Sequence, residues 1–375
     1  MSDWGYLPNE YEIAIGEISH RKRLIVEGPT DKNVFKTLLC QFDEYENELS
    51  TQNKINEDNI DIDCVEDLPQ NDFNLNGCTI NQNGNRGKVE YLHETLQNSP
   101  KHNNLVFFAD REFREFNLDK IQDDLNGHKV KGSLVWSRGH SIENYLFDFN
   151  ILRQSLRGLT KDQLYDENIK NYEKLFYNTI RFATAISLAL KDCEKIQALE
   201  DKFNWDLIDV DDSEVILNVE ECKIRLKNQQ GSAKNRISLE DVETVIASFQ
   251  NWYIKLKKNA IEINTIRWIC HGHIGAKIII EVYRACIKYT YYKNHDFKEK
   301  PNNTEVKNPI EENLKKRKRD IEKKMKNDNP IIFKQENKYM WKILINYWAS
   351  KVVSDKNNKY PYPKEIIDKL RDKLR

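Results

Sequence analysis

Arg23-Leu24-Ile25-Val26-Glu27-Gly28-Pro29-Thr30-Asp31 decides how this 375-residue chain begins to fold. The short apolar run closed by Glu27-Gly28-Pro29 reads as a buried strand followed by a turn. Val34, Phe35, Leu38 and Leu39 then recur at helical spacing, which predicts a helix over residues 31–40. Further on, Ile60, Ile62, Cys64 and Leu68 suggest a second extended piece. Gly84-Asn85-Arg86-Gly87 reads as a turn, and Val89, Leu92 and Leu96 mark the next helix. Leu105-Val106-Phe107-Phe108-Ala109 is the strongest strand pattern in the chain and ends in Asp110-Arg111-Glu112-Phe113. Ser133-Leu134-Val135-Trp136 is another, running into His140-Ser141-Ile142-Glu143-Asn144-Tyr145. Strands alternating with helices imply an α/β fold, with a mostly parallel sheet covered by helices on both faces.

After residue 150 the pattern changes. Long helical periodicities cover 167–200, 240–260, 273–290 and 338–353, and strand patterns become scarce. The expected division is therefore an α/β domain over 1–150 and a mainly helical domain over 151–375. Residues 293–330, rich in Lys, Asn and Glu, read as an exposed helix or a mobile insertion.

Charge is uneven along the chain. The 59 Lys+Arg and 60 Asp+Glu nearly cancel, but residues 1–150 hold 15 basic and 27 acidic groups, and 287–375 hold 24 and 13. An acidic front suits cations and a basic rear suits a polyanion. At 39% hydrophobic residues, with 17 Tyr and 15 Phe, the chain can build a core, so global disorder is excluded. No apolar stretch approaches the roughly 20 residues that span a bilayer, and the first residues lack a signal-peptide pattern. Seven widely spaced cysteines with no Cys-x-x-Cys pair argue against a disulfide framework or zinc ribbon. A cytoplasmic protein with no membrane contact is the expectation.

Where the acids fall points to chemistry. Glu27 ends the first strand, Asp31 begins the next helix, and Asp110 and Glu112 end the central strand. Functional groups of parallel α/β sheets gather at strand carboxyl ends, so all four are expected at one edge. On extended backbone Asp110 and Glu112 would share a face. Clustered carboxylates repel, and a hard cation such as Mg²⁺ offsets that repulsion through oxygen ligands. Such a site supports phosphodiester cleavage. Duller readings stand beside these: Asp31 as a helix cap and Asp110 as a solvated strand-end turn residue.

These residues carry a family resemblance. Leu24 through Asp31 resembles the first motif of TOPRIM domains, and Phe107-Phe108-Ala109-Asp110-Arg111-Glu112 resembles the second, usually Asp-x-Asp. With Glu143-Asn144-Tyr145-Leu146 following, the order is similar to stand-alone overcoming-lysogenization-defect-like TOPRIM nucleases, a family that includes the nuclease subunit of PARIS anti-phage systems. The likeness spans roughly residues 20–150, with a weaker echo near 271–280. It implies a TOPRIM-like sheet, with Glu27 as general acid/base or metal ligand and Asp110 and Glu112 as ligands of Mg²⁺ or Mn²⁺. Asp31 would contribute through the metal shell. Glu143 is either a further metal position or a buried acid holding the Asn144-Tyr145 turn. The second acid of the Asp-x-Asp motif is Glu here, which alters metal spacing.

Two features lie outside that region. His271-Gly272-His273 precedes Lys277, which by the resemblance would steady the scissile phosphate. The blander reading is a basic helix start packed against acid groups. Lys315, Lys316, Arg317, Lys318 and Arg319, continued by Lys323, Lys324 and Lys326, suit a phosphate backbone, or else form a solvated helix or partner-docking face. Gly84-Asn85-Arg86-Gly87-Lys88 lacks P-loop spacing, so an ATPase partner would be a separate ABC-class polypeptide.

The function expected is a Mg²⁺-dependent endonuclease acting as a toxic defence effector on nucleic acid, either RNA (host tRNA by resemblance) or DNA, with pairing into a homodimer as a further expectation. The competing expectations are a non-catalytic TOPRIM-like regulatory module and a primase-type phosphoryl-transfer enzyme.

Overall fold

The computed structural model of the chain describes residues 21–48, 59–67, 84–97, 104–160, 163–227, 237–258, 261–295, 309–334 and 337–371. They fall into two units, Met1–Leu146 with Ile345–Arg375, and Phe147–Leu344.

In the first unit, Lys22–Val26 forms the fully buried strand β1, and Pro29–Glu48 forms α1. Proline at the first helical position loses nothing, since that N–H would have no intrahelical partner. α1 outruns the expected end at residue 40 and buries Val34, Phe35, Leu38, Leu39 and Phe42 along one stripe. Next come β2 (Ile60–Cys64), α2 (Gly84–Leu96) and β3 (Leu105–Ala109). Leu68, assigned to the second extended piece, lies outside the described residues. Residues 84–87, expected to be a turn, are instead the first turn of α2, which Gly84 enters at φ +58°.

Two small strands, β4 (Phe116–Asn117) and β5 (Gln122–Asp123), pair antiparallel after β3. β6 (Val130–Lys131) and β7 (Leu134–Trp136) form a second antiparallel pair. The main sheet runs β2-β1-β3-β7-β6, and the β2-β1, β1-β3 and β3-β7 pairings are all parallel. This is the mostly parallel α/β sheet the sequence predicts. Alternate side chains divide it into two packed faces. Ile25, Phe107, Ala109, Leu134 and Trp136 pack with Val89, Leu92 and Leu96 of α2. On the other face Phe108 meets Phe35 of α1 edge-on at 4.9 Å.

The second unit is mainly helical. α3 (Phe149–Leu159) is capped by Asp148, whose carboxylate accepts from Asn150 and Ile151 N–H. α4 (Tyr165–Asp192) is the unit's central helix, followed by the short α5 (Ile196–Leu199). A hairpin of β8 (Ile208–Val210) and β9 (Val215–Leu217) comes next. Then follow α6 (Val219–Lys227), α7 (Leu239–Leu256), α8 (Ile263–Ile269) and α9 (Gly272–Asn294). α4 packs against α7, α8 and α9. Gly275 is required there, because a Cβ would lie 2.6 Å from the Phe147 ring and 2.7 Å from Cys270 Sγ. α10 (Pro309–Asp328) and α11 (Pro330–Lys334) complete the unit.

The division between units falls within α12 (Asn337–Ser354). The last residues then rejoin the first unit rather than the helical half to which 151–375 was assigned. α13 (Lys364–Arg371) buries Ile366, Ile367 and Leu370 and packs on β3. It is fixed by Lys22 Nζ donating to Lys369 O at 2.7 Å and by an Arg371–Glu46 ion pair. Among the described residues no helix is long and apolar enough to cross a membrane.

Candidate functional site

Strand order sets the site. β1 lies between β2 and β3, so the chain leaves β1 to one side and returns on the other. In open parallel sheets such a switch point leaves a crevice at the strand carboxyl ends. Glu27 follows β1 and Asp110 follows β3, one on each side of it. Asp110 N–H donates to Glu27 Oε1 at 2.6 Å, so two acids 83 residues apart in sequence are in direct contact.

Asp31 stands in the first turn of α1, and its Oδ2 accepts from Gly28 N–H at 3.2 Å. That is the back-reaching bond of a helix start, so the capping reading of Asp31 holds. Its charge also acts on the crevice. Burial first, then the Asp31 carboxylate, pushes the Glu27 pKa up to about 8. Asp110 is raised well above the usual carboxylate range by burial, then by the charges of Asp31, Glu27, Glu143 and Glu112. The other four acids expected to cooperate therefore all act on Asp110 electrostatically. Asp110 Oδ1 also accepts from Ile142 N–H at 3.2 Å, which ties it to the 3₁₀ turn Ile142–Leu146.

Glu112 departs from expectation. β3 ends at Ala109, and Glu112 sits at φ +55°, in left-handed backbone. It therefore does not share an extended face with Asp110. Its N–H donates to His140 O at 2.7 Å, and its carboxylate is ion-paired with the buried Arg86. Glu143 is buried and accepts from Ser141 Oγ at 2.6 Å, while Asn144 Oδ1 accepts from Ser141 N–H at 2.8 Å. Those bonds belong to the turn-holding reading of Glu143, and the charge on Asp110 belongs to the other.

Sequence reasoning missed three cations. Arg86 lowers the Glu27 pKa, as the bond from Asp110 N–H does more strongly. Lys88, depressed by burial, donates to Val65 O at 3.3 Å. Both lie on α2, hidden in a segment that reads as a glycine-rich turn. Arg111 is 1% exposed and clamps the loop after β3 by donating to the carbonyls of Arg114, Glu115 and Arg138 and to Asp123 Oδ1.

The remaining expected residues belong to the second unit. Lys277 lies on α9 and donates to Asp201 O, and burial lowers its pKa. The His271 and His273 rings stand 5.9 Å apart, edge to face. On α10, Lys316, Arg317 and Arg319 are exposed and Lys318 is half-buried, while Ile321 and Met325 pack inward. The side chain of Lys315 lies outside the described residues.

Whether a metal ion fits is decided by the acid cluster. Among the described residues no group of three or more His, Cys, Asp or Glu side chains is already gathered to hold one. The donor chemistry nevertheless suits a hard divalent cation, since every candidate is a carboxylate. Burial first, and then the neighbouring carboxylates, raise the Glu27 and Asp110 pKa values, so a divalent cation placed among them would favour their ionised forms. Compared with protein-family models and with curated proteins, the chain matches none.

Proposed function

We propose that the chain is a metal-dependent endonuclease of TOPRIM type that cleaves phosphodiester bonds at the crevice between β1 and β3. The observation that carries this reading is the 2.6 Å bond from Asp110 N–H to Glu27 Oε1, which joins two strand-end acids beside Asp31. Glu27, Asp31 and Asp110 would hold Mg²⁺ or Mn²⁺, with Glu143 as a further position and Glu112 available once released from Arg86. The chemistry such an ion supplies is activation of water and neutralisation of charge on the scissile phosphate. Glu27, with a pKa of about 8, can take up or release a proton near neutral pH, as a general acid/base must. The bond from Asp110 N–H, and then Arg86, limit how far that pKa climbs.

In biological terms the reading is a cytoplasmic toxic effector of a PARIS-type anti-phage system, restrained by a separate ABC-class ATPase and cutting RNA such as host tRNA. The order of the three sequence motifs supports it. Unregulated expression in bacteria tests it: growth arrest is expected, with new RNA or DNA ends, and both should vanish in Glu27→Gln and Asp110→Asn. Arrest that survives both substitutions would exclude the crevice as its source.

The Arg86–Glu112 ion pair favours a second reading, a TOPRIM-like regulatory module without catalysis. Such a module would bind no divalent ion through Glu27 and Asp110.

A further inference from the structure

The second unit contains a cavity of about 950 Å³, at the upper end of the roughly 300–1,000 Å³ range of small-molecule sites. It is bounded by the 3₁₀ turn Trp205–Leu207, by β8, and by α6, α9 and α10. Three aromatic rings line it, each with an ammonium nearby. Lys326 Nζ lies 5.2 Å from the Trp205 ring, Lys288 Nζ 5.9 Å from Tyr292, and Lys293 Nζ 5.7 Å from Tyr289. Lys318 of the basic run also lines the cavity.

Carboxylates are present as well, but they are engaged. Arg225 pairs with Asp206 and with Glu221, Lys288 with Asp209 at 2.8 Å, and Glu322 accepts from Tyr292 OH at 2.8 Å. Lys293 reaches Asp212 only at 3.8 Å between side chains more than half exposed, a contact of little strength. Ring faces suit a nucleobase and ammonium groups suit its phosphate. Bare phosphate would use only the ammonium groups.

We propose that this cavity binds a nucleotide, with the base against Trp205, Tyr289 or Tyr292 and the phosphate on Lys293, Lys318 and Lys326. The nucleotide is either free or one unit of a single strand lying along α10. The inference stands apart from the acid cluster of the first unit and does not need it to be catalytic.

The test uses the full chain carrying Glu27→Gln, in EDTA, so that neither cleavage nor metal enters. Adenosine monophosphate, inorganic phosphate and a fluorescein-labelled oligo(A) RNA are titrated separately. Saturable binding of the nucleotide or the RNA is expected, weakened at least about fivefold by Trp205→Leu and retained in Trp205→Phe. Lys326→Gln and Lys318→Gln should weaken it too, and these surface changes keep the test decisive if Trp205→Leu does not fold. Mononucleotide binding as tight as RNA binding assigns a free ligand, and binding of RNA alone assigns a strand. No binding of either, phosphate binding as tightly as the nucleotide, or variants that bind like the parent would each overturn the proposal.

Discussion

At the scale of single residues, the site is defined by buried carboxyl groups crowded together. Glu27 and Asp110 both have raised pKa values in the folded chain, so the native state holds protons that the unfolded chain has already released. Where the native state binds more protons, stability falls as pH rises. For Glu27 the affected window runs from its ordinary value of 4.5 up to about 8. Thermal melts in chelator should therefore show a midpoint that declines between those pH values. Glu27→Gln should flatten the decline, and a slope unchanged by that substitution would contradict the assigned pKa. Asp31→Asn separates two effects of one carboxylate. It weakens the bond from Gly28 N–H but removes the charge that raises Glu27 and Asp110. The Glu27 pKa, followed by NMR titration of the carboxyl carbon, should move down; an unmoved value would show that Asp31 does not act on it.

At the scale of elements, the two packed sheet faces and the crowded helix contacts set the largest costs. Phe35→Ala, which removes the ring stacked edge-on against Phe108, should cost about 3–5 kcal/mol in urea unfolding. Gly275→Ala should cost about 1–3 kcal/mol, because the new methyl meets the Phe147 ring at 2.6 Å. An unchanged midpoint in either variant would refute the packing described. These elements differ in how plainly the sequence announces them. β1 and β3 were legible because central parallel strands, buried on both faces, read as unbroken apolar runs. β4, β5, β6, β8 and β9 were not, since two or three residues carry too little alternation to register. Among the site residues, Glu27, Asp31 and Asp110 could be placed from strand and helix ends. Glu112 could not, because its face depends on a left-handed residue that only the loop beyond β3 imposes. Arg86 escaped because glycines on either side of it suggest a turn, whereas the chain there is helical.

At the scale of the whole molecule, the acidic and basic ends of the sequence are not two successive domains. The last helix, α13, is basic in its final turn, yet it belongs to the acidic first unit, where Arg371 pairs with Glu46. No local pattern in the sequence marks that return, which sets α13 against β3. Deleting residues 345–375 should therefore unfold the first unit, seen as loss of the cooperative melting transition. A truncated chain that melts like the full one would show that α13 is dispensable. The central claim, however, is that acids on β1, α1 and β3 meet in one crevice to bind a divalent ion. Isothermal titration of the intact chain with Mn²⁺ at pH 7.5 tests it most directly. Saturable binding that is lost in both Glu27→Gln and Asp110→Asn is the result predicted, and binding that is absent, or unaffected by either substitution, would contradict it.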